Sequence, residues 1–191
     1  TGANGFLGKH VIKLLKKNDY DFTSVGRNES TFCKVLCDLS IPADVIKLLE
    51  EISPKIIINL AASVDFQEKN QYPLFSVNTL LPAIFAGYCT KNNSHLIQLS
   101  GIIVHGFSHR HYSKKTELKP DTAYGKSKLL ADDVIIASGC KASILRIGGI
   151  FGDNGSLHLG INKAIVEAKK GNPPNIVNTG SAKRNYIFVK D

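Results

Sequence analysis

The chain alternates between helical and strand-like hydrophobic patterns along its whole length. Residues 6–17 carry apolar side chains at helical spacing, with Phe6, Leu7, Val11, Leu14 and Leu15 expected on one face. Residues 55–60 (KIIINL) are a continuous apolar run, which is typical of a strand covered on both faces. The pattern predicts further helices over 42–52, 73–92, 122–138 and 157–170, and further strands over 22–25, 34–37, 95–99, 142–147 and 184–189.

Strands separated by helices predict an α/β protein built on a doubly wound parallel sheet. We expect residues 1–191 to form one domain. The chain opens at Thr1 directly with a loop-like segment and contains no methionine. These two features indicate a piece of a longer chain, without the strand that should precede Thr1 and without a C-terminal part.

Composition narrows the class of partner. No apolar run is long enough to cross a membrane, so no membrane span is expected. The formal net charge is +8, but the lysines are scattered, which favours an anionic small molecule over nucleic acid. The four cysteines have no metal-binding spacing. We therefore expect free thiols, no metal and a cytoplasmic location, since a reducing compartment suits free thiols.

The first eight residues, TGANGFLG, place three glycines three apart ahead of a helix. Gly2 permits a tight turn, Gly5 lets a pyrophosphate approach the backbone, and Gly8 lets the helix pack closely against the sheet. The N-terminus of the following helix offers N–H groups to phosphate. A chance glycine-rich loop is the alternative, but the helix that follows favours a dinucleotide site and a Rossmann fold.

Arg27 lies where the choice between the two nicotinamide dinucleotides is usually made. NAD-preferring proteins have an acidic residue about twenty residues after the loop, and this chain has none there. The arginine can instead pair with a 2′-phosphate. A solvated loop arginine is the alternative. The position favours NADP, with NAD left open.

Further motifs follow in a fixed order, and together they resemble the extended short-chain dehydrogenases/reductases. This family contains nucleotide-sugar epimerases, dehydratases and keto-sugar reductases. The matching segments are Asp38-Leu39, Asn59-Leu60-Ala61-Ala62, Val77-Asn78, Tyr124-Gly125-Lys126-Ser127-Lys128, Leu145-Arg146, residues 148–152 and residues 184–191. The resemblance covers essentially the whole chain.

The resemblance implies a cofactor, a substrate and an assembly. The implied NAD(P)-binding residues are Gly2, Asn4, Gly5, Phe6, Leu7, Gly8, Arg27, Asp38, Leu39, Leu60, Ala61, Ala62, Asn78, Tyr124 and Lys128. The substrate would be a nucleotide-linked sugar whose diphosphate binds Arg184, with most other contacts in a C-terminal part outside residues 1–191. Many members form homodimers through helices that correspond here to 73–92 and 122–138.

Tyr124 and Lys128 match the family's YxxxK signature, and their spacing puts them on one face of a helix. A phenol has a reference pKa of about 10, and a nearby ammonium would lower it. The tyrosine could then exchange a proton with a substrate oxygen while hydride moves to or from the nicotinamide. An ordinary amphipathic helix is the alternative when the other motifs are ignored.

The segment after the predicted strand 95–99 departs from the family pattern. Ser100 matches the serine that precedes the usual catalytic hydroxyl, and Gly101 occupies the hydroxyl position itself. Ser100 is therefore the candidate hydroxyl donor, although water could take this role or the site could be weakened. Ile102 and Ile103 stand where sugar dehydratases of the family have Asp-Glu, so dehydration is not expected.

Three functions remain open. The first is an NAD(P)-dependent epimerase or keto-reductase acting on a nucleotide-linked sugar. The second, motivated by Gly101, is a catalytically weakened NADP(H)-binding regulatory or sensor protein. The third is a reductase of a non-sugar carbonyl.

Overall fold

The structure, a computed structural model, describes residues 1–64, 71–108, 111–113, 115–175, 179–181 and 183–191. The described chain divides into two compact units, Thr1–Arg146 and Ile147–Asp191. The helices are α1 (Phe6–Lys17), α2 (Pro42–Ile52), α3 (Tyr72–Phe75), a π-helical turn (Ser76–Leu80), α4 (Leu81–Asn92), a 3-10 helix (Ile102–His105), α5 (Ala123–Ala137) and α6 (Gly160–Lys169). The strands are β1 (Val25–Gly26), β2 (Val35–Leu36), β3 (Ile56–Asn59), β4 (His95–Gly101), β5 (Lys141–Ile147), β6 (Gly149–Phe151) and β7 (Tyr186–Phe188).

The first unit is built on parallel strands flanked by helices. β1 pairs in parallel with β2, and β3 pairs in parallel with β4 within a sheet of order β3-β4-β5. The opening residues reach both sheets, because the backbone nitrogen of Thr1 donates to Ile58 O (2.7 Å) and Ala3 N donates to Val25 O (3.2 Å). The predicted parallel α/β architecture is confirmed.

One hydrophobic core lies in this unit, beneath α2, α4 and α5. Its fully or nearly buried members are Val25, Cys37, Val45, Leu49, Ile57, Leu81, Phe85, Ala86, Cys89, Leu96 and Ile135. Burial of apolar area at about 25 cal/mol per Å² is the main force that holds these elements together. The core therefore fixes the positions of the β3, β4 and α5 residues described below.

Several predicted elements differ from those observed. The strand expected over 22–25 is only Val25–Gly26, and β6 was not predicted. On α1, Leu14 is 60% exposed whereas Ile12 is 5% exposed, so the buried face is rotated from the predicted one. Ile56 opens β3 and is 58% exposed, so the KIIINL run is not covered along its whole length.

The helix predicted over 73–92 is interrupted by the π-helical turn at Ser76–Leu80. Such turns often occur at functional sites, because the wider turn redirects side chains. The hydrophobic pattern of this segment keeps a helical period throughout, so the pattern does not indicate the interruption.

In the second unit, β6 pairs in parallel with β7, and Asn162 of α6 is its best buried polar residue. The Asn162 side chain accepts from Gly152 N (3.2 Å) and donates to Ser156 O (3.0 Å). These bonds tie α6 to the turn after β6.

Across the described part of the chain, none of the helices combines the length and the apolar character needed to cross a membrane.

Candidate functional site

The glycine loop is packed so closely that side chains would not fit. Gly2 has φ +74°, and a Cβ built on it would lie 2.8 Å from Ala61 N and 2.8 Å from the carbonyl carbon of Leu60. A Cβ on Gly8 would overlap the carbonyl oxygen of Gly2. The loop therefore lies directly against residues 60–61, and α1 approaches it at backbone distance. Two segments predicted to line one cofactor are thus neighbours in space.

Asn59, the last residue of β3, links the start of the chain to residues 60–61. Its side-chain oxygen accepts from Thr1 Oγ1 (2.7 Å) and from Ala61 N (3.3 Å), and its amide donates to Gln98 Oε1 (2.7 Å). Asn59 and Gln98 are both 0% exposed. The buried amide pair fixes the ends of β3 and β4 relative to the glycine loop.

Asn4 links the glycine loop to the turn that carries Arg27. Its amide donates to Asn28 O (2.7 Å), and its side-chain oxygen accepts from the Ser30 hydroxyl. The side chain of Asn4 is thus occupied within the protein. The turn that carries the exposed Arg27 is thus tied to the glycine loop.

Arg27 and Asp38 line one cavity of about 360 Å³, together with Val35, Leu36, Cys37, Asp44, Lys47, Leu48 and Glu51. Ser40 donates to Asp38 Oδ1 from both its backbone N (2.9 Å) and its hydroxyl (2.7 Å). These bonds, with a smaller contribution from Arg27, hold the pKa of Asp38 below its usual value. Asp38 is therefore an ionised acceptor at neutral pH, suited to the hydroxyls or amines of an adenosine.

Asn78 lies in the π-helical turn and joins two of the predicted cofactor segments. Its side-chain oxygen accepts from Ser63 N (2.8 Å), while its amide donates to Ser63 O (2.9 Å) and Ser127 Oγ (3.1 Å). The residue is 1% exposed. Asn78 thus connects the loop after β3 to α5, which carries Tyr124 and Lys128.

Tyr124 and Lys128 lie on the first turns of α5, whose N-terminus is capped by Thr122 Oγ1 accepting from Gly125 N (3.0 Å). Lys128 is 3% exposed, and its ammonium donates to Leu99 O at 2.6 Å. Burial lowers the pKa of Lys128 to about 8, and the Asp132 charge opposes that lowering.

The expected lowering of the Tyr124 pKa is not found. Burial raises the pKa of this phenol above its ordinary value, because the phenolate loses solvation in the protein. The phenol therefore keeps its proton at neutral pH, and a positive charge must stabilise the phenolate when the proton leaves.

Ser100 lies at the end of β4, where it is 4% exposed. Its hydroxyl donates to Asp132 Oδ2 (3.1 Å), which also accepts from Arg146 Nε (2.8 Å). The serine is thus engaged by a carboxylate in this structure. Asp132 is not among the residues that the motifs predict for the site, and the signal it carries in the sequence is its four-residue spacing from Lys128.

Arg184 and His105 each share a hydrogen bond with a backbone carbonyl oxygen. Arg184 belongs to the second unit, where it is exposed and donates to Lys183 O (2.9 Å). His105 is 7% exposed and shares a hydrogen bond with Glu117 O (3.0 Å), which fits a packing role. Among the described residues, no cluster of His, Cys, Asp or Glu could hold a metal ion.

The first unit fits a dinucleotide on structural grounds. The backbone contacts of Gly2 and Gly8 give the tight turn and the close approach of α1 that a dinucleotide-binding loop has. The N-terminus of α1 carries no side-chain cap, which leaves this end suited to an anion.

Comparison with known proteins agrees with this geometry. Residues 1–176 match the family model described as the RmlD substrate binding domain. The chain belongs to the RmlD substrate-binding domain family. This confirms the resemblance to the nucleotide-sugar-modifying short-chain dehydrogenases/reductases.

Two curated relatives of this family carry different names. The dTDP-4-dehydrorhamnose reductase of Aggregatibacter actinomycetemcomitans is 29% identical, over 82% of this chain and 52% of its own. Methionine adenosyltransferase 2 subunit beta of Danio rerio is also 29% identical, over 80% of this chain and 47% of its own. The chain spans about half the length of the curated relatives it matches.

A solved structure supports the fold. The UDP-glucuronic acid 4-epimerase of Bacillus cereus, in complex with UDP-glucuronic acid and NAD, matches with a TM-score of 0.81 at 19% identity. The match covers 99% of this chain and 68% of that one. At this identity the likeness shows the Rossmann fold.

Proposed function

We propose that this chain is the cofactor-binding part of an NAD(P)-dependent oxidoreductase or epimerase acting on a nucleotide-linked sugar. The observation that carries the proposal is the meeting of the glycine loop with residues 60–61, which Asn78 connects to the helix of Tyr124 and Lys128. A nicotinamide dinucleotide, when bound, supplies or accepts the hydride. The protein's own residues bind it, orient the substrate and move one proton.

In the reducing direction, Tyr124 donates its phenolic proton to the substrate carbonyl oxygen as that oxygen gains negative charge. Its raised pKa keeps the proton in place until then. Lys128 is buried as a cation close to Leu99 O and stabilises the phenolate that remains. Ser100 is the proposed hydroxyl donor to the substrate oxygen, a role that requires it to turn from Asp132.

Reduction is the direction that these features support best. A phenol that keeps its proton is ready to donate, whereas an epimerase begins by removing a proton from a hydroxyl. One of the relatives described above is named a reductase, which agrees with this direction. We propose NADP(H) as the preferred cofactor because Arg27 faces the cavity beside Asp38.

The substrate and assembly follow from the same proposal. Arg184 would bind the diphosphate of the nucleotide-linked sugar through paired hydrogen bonds. A homodimer through the helices at 73–92 and 122–138 remains a prediction, which the mass of the full-length protein in solution would check.

Tyr124→Phe in the full-length protein tests the enzyme proposal. Loss of the proton donor should lower kcat about 10²- to 10⁴-fold, with NADPH affinity changed only a few-fold. Tyr20→Phe is the matched control, since Tyr20 is 65% exposed and lies outside the site. Unchanged turnover in Tyr124→Phe would contradict the proposal.

A regulatory or sensor protein is the second candidate. It is favoured by Gly101 at the usual hydroxyl position, by the engagement of Ser100 with Asp132, and by the relative named as a subunit. Reduction of a non-sugar carbonyl is a further alternative. NADPH binding without turnover of any keto-sugar would favour the sensor. Nucleotide retained through purification, detected by mass spectrometry, would instead favour an epimerase.

A further inference from the structure

Asp132 is a buried acid that the proposed chemistry does not use. It lies on α5, one turn beyond Lys128, and is 0% exposed. Its Oδ2 accepts from Ser100 Oγ (3.1 Å) and Arg146 Nε (2.8 Å). Its Oδ1 is buried without a hydrogen-bond partner among the described residues. A buried carboxylate of this kind is costly and calls for a physical reason.

The cationic residues near Asp132 give a physical reason for its buried carboxylate. Arg146 forms an ion pair with Asp132 (2.8 Å), and its side chain is 30% exposed. Lys128 is 3% exposed and lies one helical turn from Asp132, and the two side chains bond to consecutive residues of β4, Leu99 and Ser100.

On α5 itself, Tyr124 and Asp132 are each one turn from Lys128. Arg146 on β5 is bonded to Asp132, and His105 on the 3-10 helix shares a hydrogen bond with Glu117 O. Among these groups, Asp132 is the one whose charge supports the ammonium of Lys128 against burial.

We propose that Asp132 is a positioning residue that keeps Lys128 charged in its buried site. This inference rests on the proposed role of Lys128 beside Tyr124. If the carboxylate is lost, two cations share the cluster. An arginine does not give up its proton in a protein, so Lys128 is the group that responds.

The experiment is an NMR titration of the Lys128 ammonium in the full-length protein without ligands, assigned with Lys128→Arg. Asp132→Asn should lower the pKa of Lys128 from about 8, because the supporting charge is gone. A fall of about two units is typical for loss of one nearby charge and would reduce the protonated fraction at pH 7 roughly tenfold. Asp132→Glu keeps the charge and should restore most of the wild-type titration.

Asp133→Asn is the matched control, because Asp133 is the neighbouring but exposed carboxylate of α5. It should leave the titration of Lys128 unchanged. Equal titration of Lys128 in wild type, Asp132→Asn and Asp133→Asn would overturn the proposal.

A reciprocal measurement covers the case in which Asp132→Asn does not fold. Burial raises the pKa of Asp132 above its usual value, and the Arg146 and Ser100 hydrogen bonds and the charges of Arg146 and Lys128 oppose this rise. Lys128→Met should therefore raise the pKa of Asp132 further. Carbon-detected titration of the Asp132 carboxyl reports this directly, and an unchanged pKa would overturn the proposal. Both titrations are made without turnover, so their failure is distinct from failure of Tyr124→Phe.

In active protein, the same charge should be visible in the pH profile. The rate falls as pH rises through the pKa of Lys128, because the ammonium is the active form. Asp132→Asn should therefore move the alkaline limb of kcat to lower pH, and Asp132→Glu should return it. Simple structural damage would lower kcat at every pH and leave the limb in place.

Discussion

The two ends of the candidate site are specified by opposite physical means. At the glycine loop, Gly2 and Gly8 lie against backbone atoms at distances that no side chain could share. At α5, by contrast, Lys128 and Asp132 place charged side chains where almost no solvent reaches them. The glycine loop depends on the absence of side chains at Gly2 and Gly8, whereas the α5 end depends on buried charged side chains.

This difference determines which property a substitution at each end should change. A steric error in the loop acts on packing and is independent of pH, because overlapping atoms cannot be relieved by a proton. An electrostatic error at α5 acts first on protonation, because Lys128 and Asp132 can each exchange a proton with solvent. Asn78 stands between the two, since it bonds to Ser63 on one side and to Ser127 on the other.

The largest effect is expected from Gly8→Ala. The new methyl would overlap the Gly2 carbonyl, which is backbone and cannot rotate away. We expect a loss of about 3 kcal/mol in the free energy of unfolding, or failure to fold, with loss of dinucleotide binding. Chemical denaturation and NADPH titration of the full-length protein would measure both.

Gly87→Ala is the control for this substitution. Gly87 lies within α4, and a Cβ there would meet no atom within 4 Å. Alanine should stabilise the helix by about 0.5–1 kcal/mol. A Gly8→Ala protein as stable as Gly87→Ala would remove the steric account of the loop.

Asn78→Ala should have the next largest effect. It removes three hydrogen bonds and leaves the Ser63 backbone groups without this partner, for an expected cost of about 2–3 kcal/mol. Asn92→Ala, at the exposed end of α4, should change stability by less than about 0.5 kcal/mol. If both variants unfold at the same denaturant concentration, Asn78 does not join the two ends of the site.

The sequence predicts the glycine-loop end of the site better than the α5 end with Lys128 and Asp132. Glycine spacing is local, so TGANGFLG alone indicated a loop and helix in close contact. Parallel strands then bring residues 60–61 to the same edge, as the strand and helix order predicts. The role of Asp132 depends on Arg146, which lies on a different element, and the helical spacing of α5 does not distinguish buried Asp132 from exposed Asp133.

The same limit applies to Tyr124. Its spacing from Lys128 correctly put both on α5, but the direction of its pKa shift depends on how deeply the phenol is buried. The π-helical turn was missed for a related reason, because Ser76–Leu80 keeps a helical hydrophobic pattern while its hydrogen bonds change. Local sequence patterns predict where helices and strands lie. The burial that shifts a pKa depends instead on residues from several elements packed together.

The smallest effect is expected at Arg27, where an exposed charge meets a cavity shared with Asp38, Asp44 and Glu51. Arg27→Gln should weaken NADPH binding roughly tenfold and leave NADH binding nearly unchanged, because only NADPH carries the 2′-phosphate. Calorimetry with both nucleotides measures this, with Lys16→Gln as a control that removes the same charge from α1 outside the cavity. Raised salt should reduce the difference in NADPH affinity between wild type and Arg27→Gln, since the charge pair between Arg27 and the 2′-phosphate is solvent-exposed. Equal loss of both nucleotides would instead mean that Arg27 supports the loop through its neighbours, and the three carboxylates would then favour NAD.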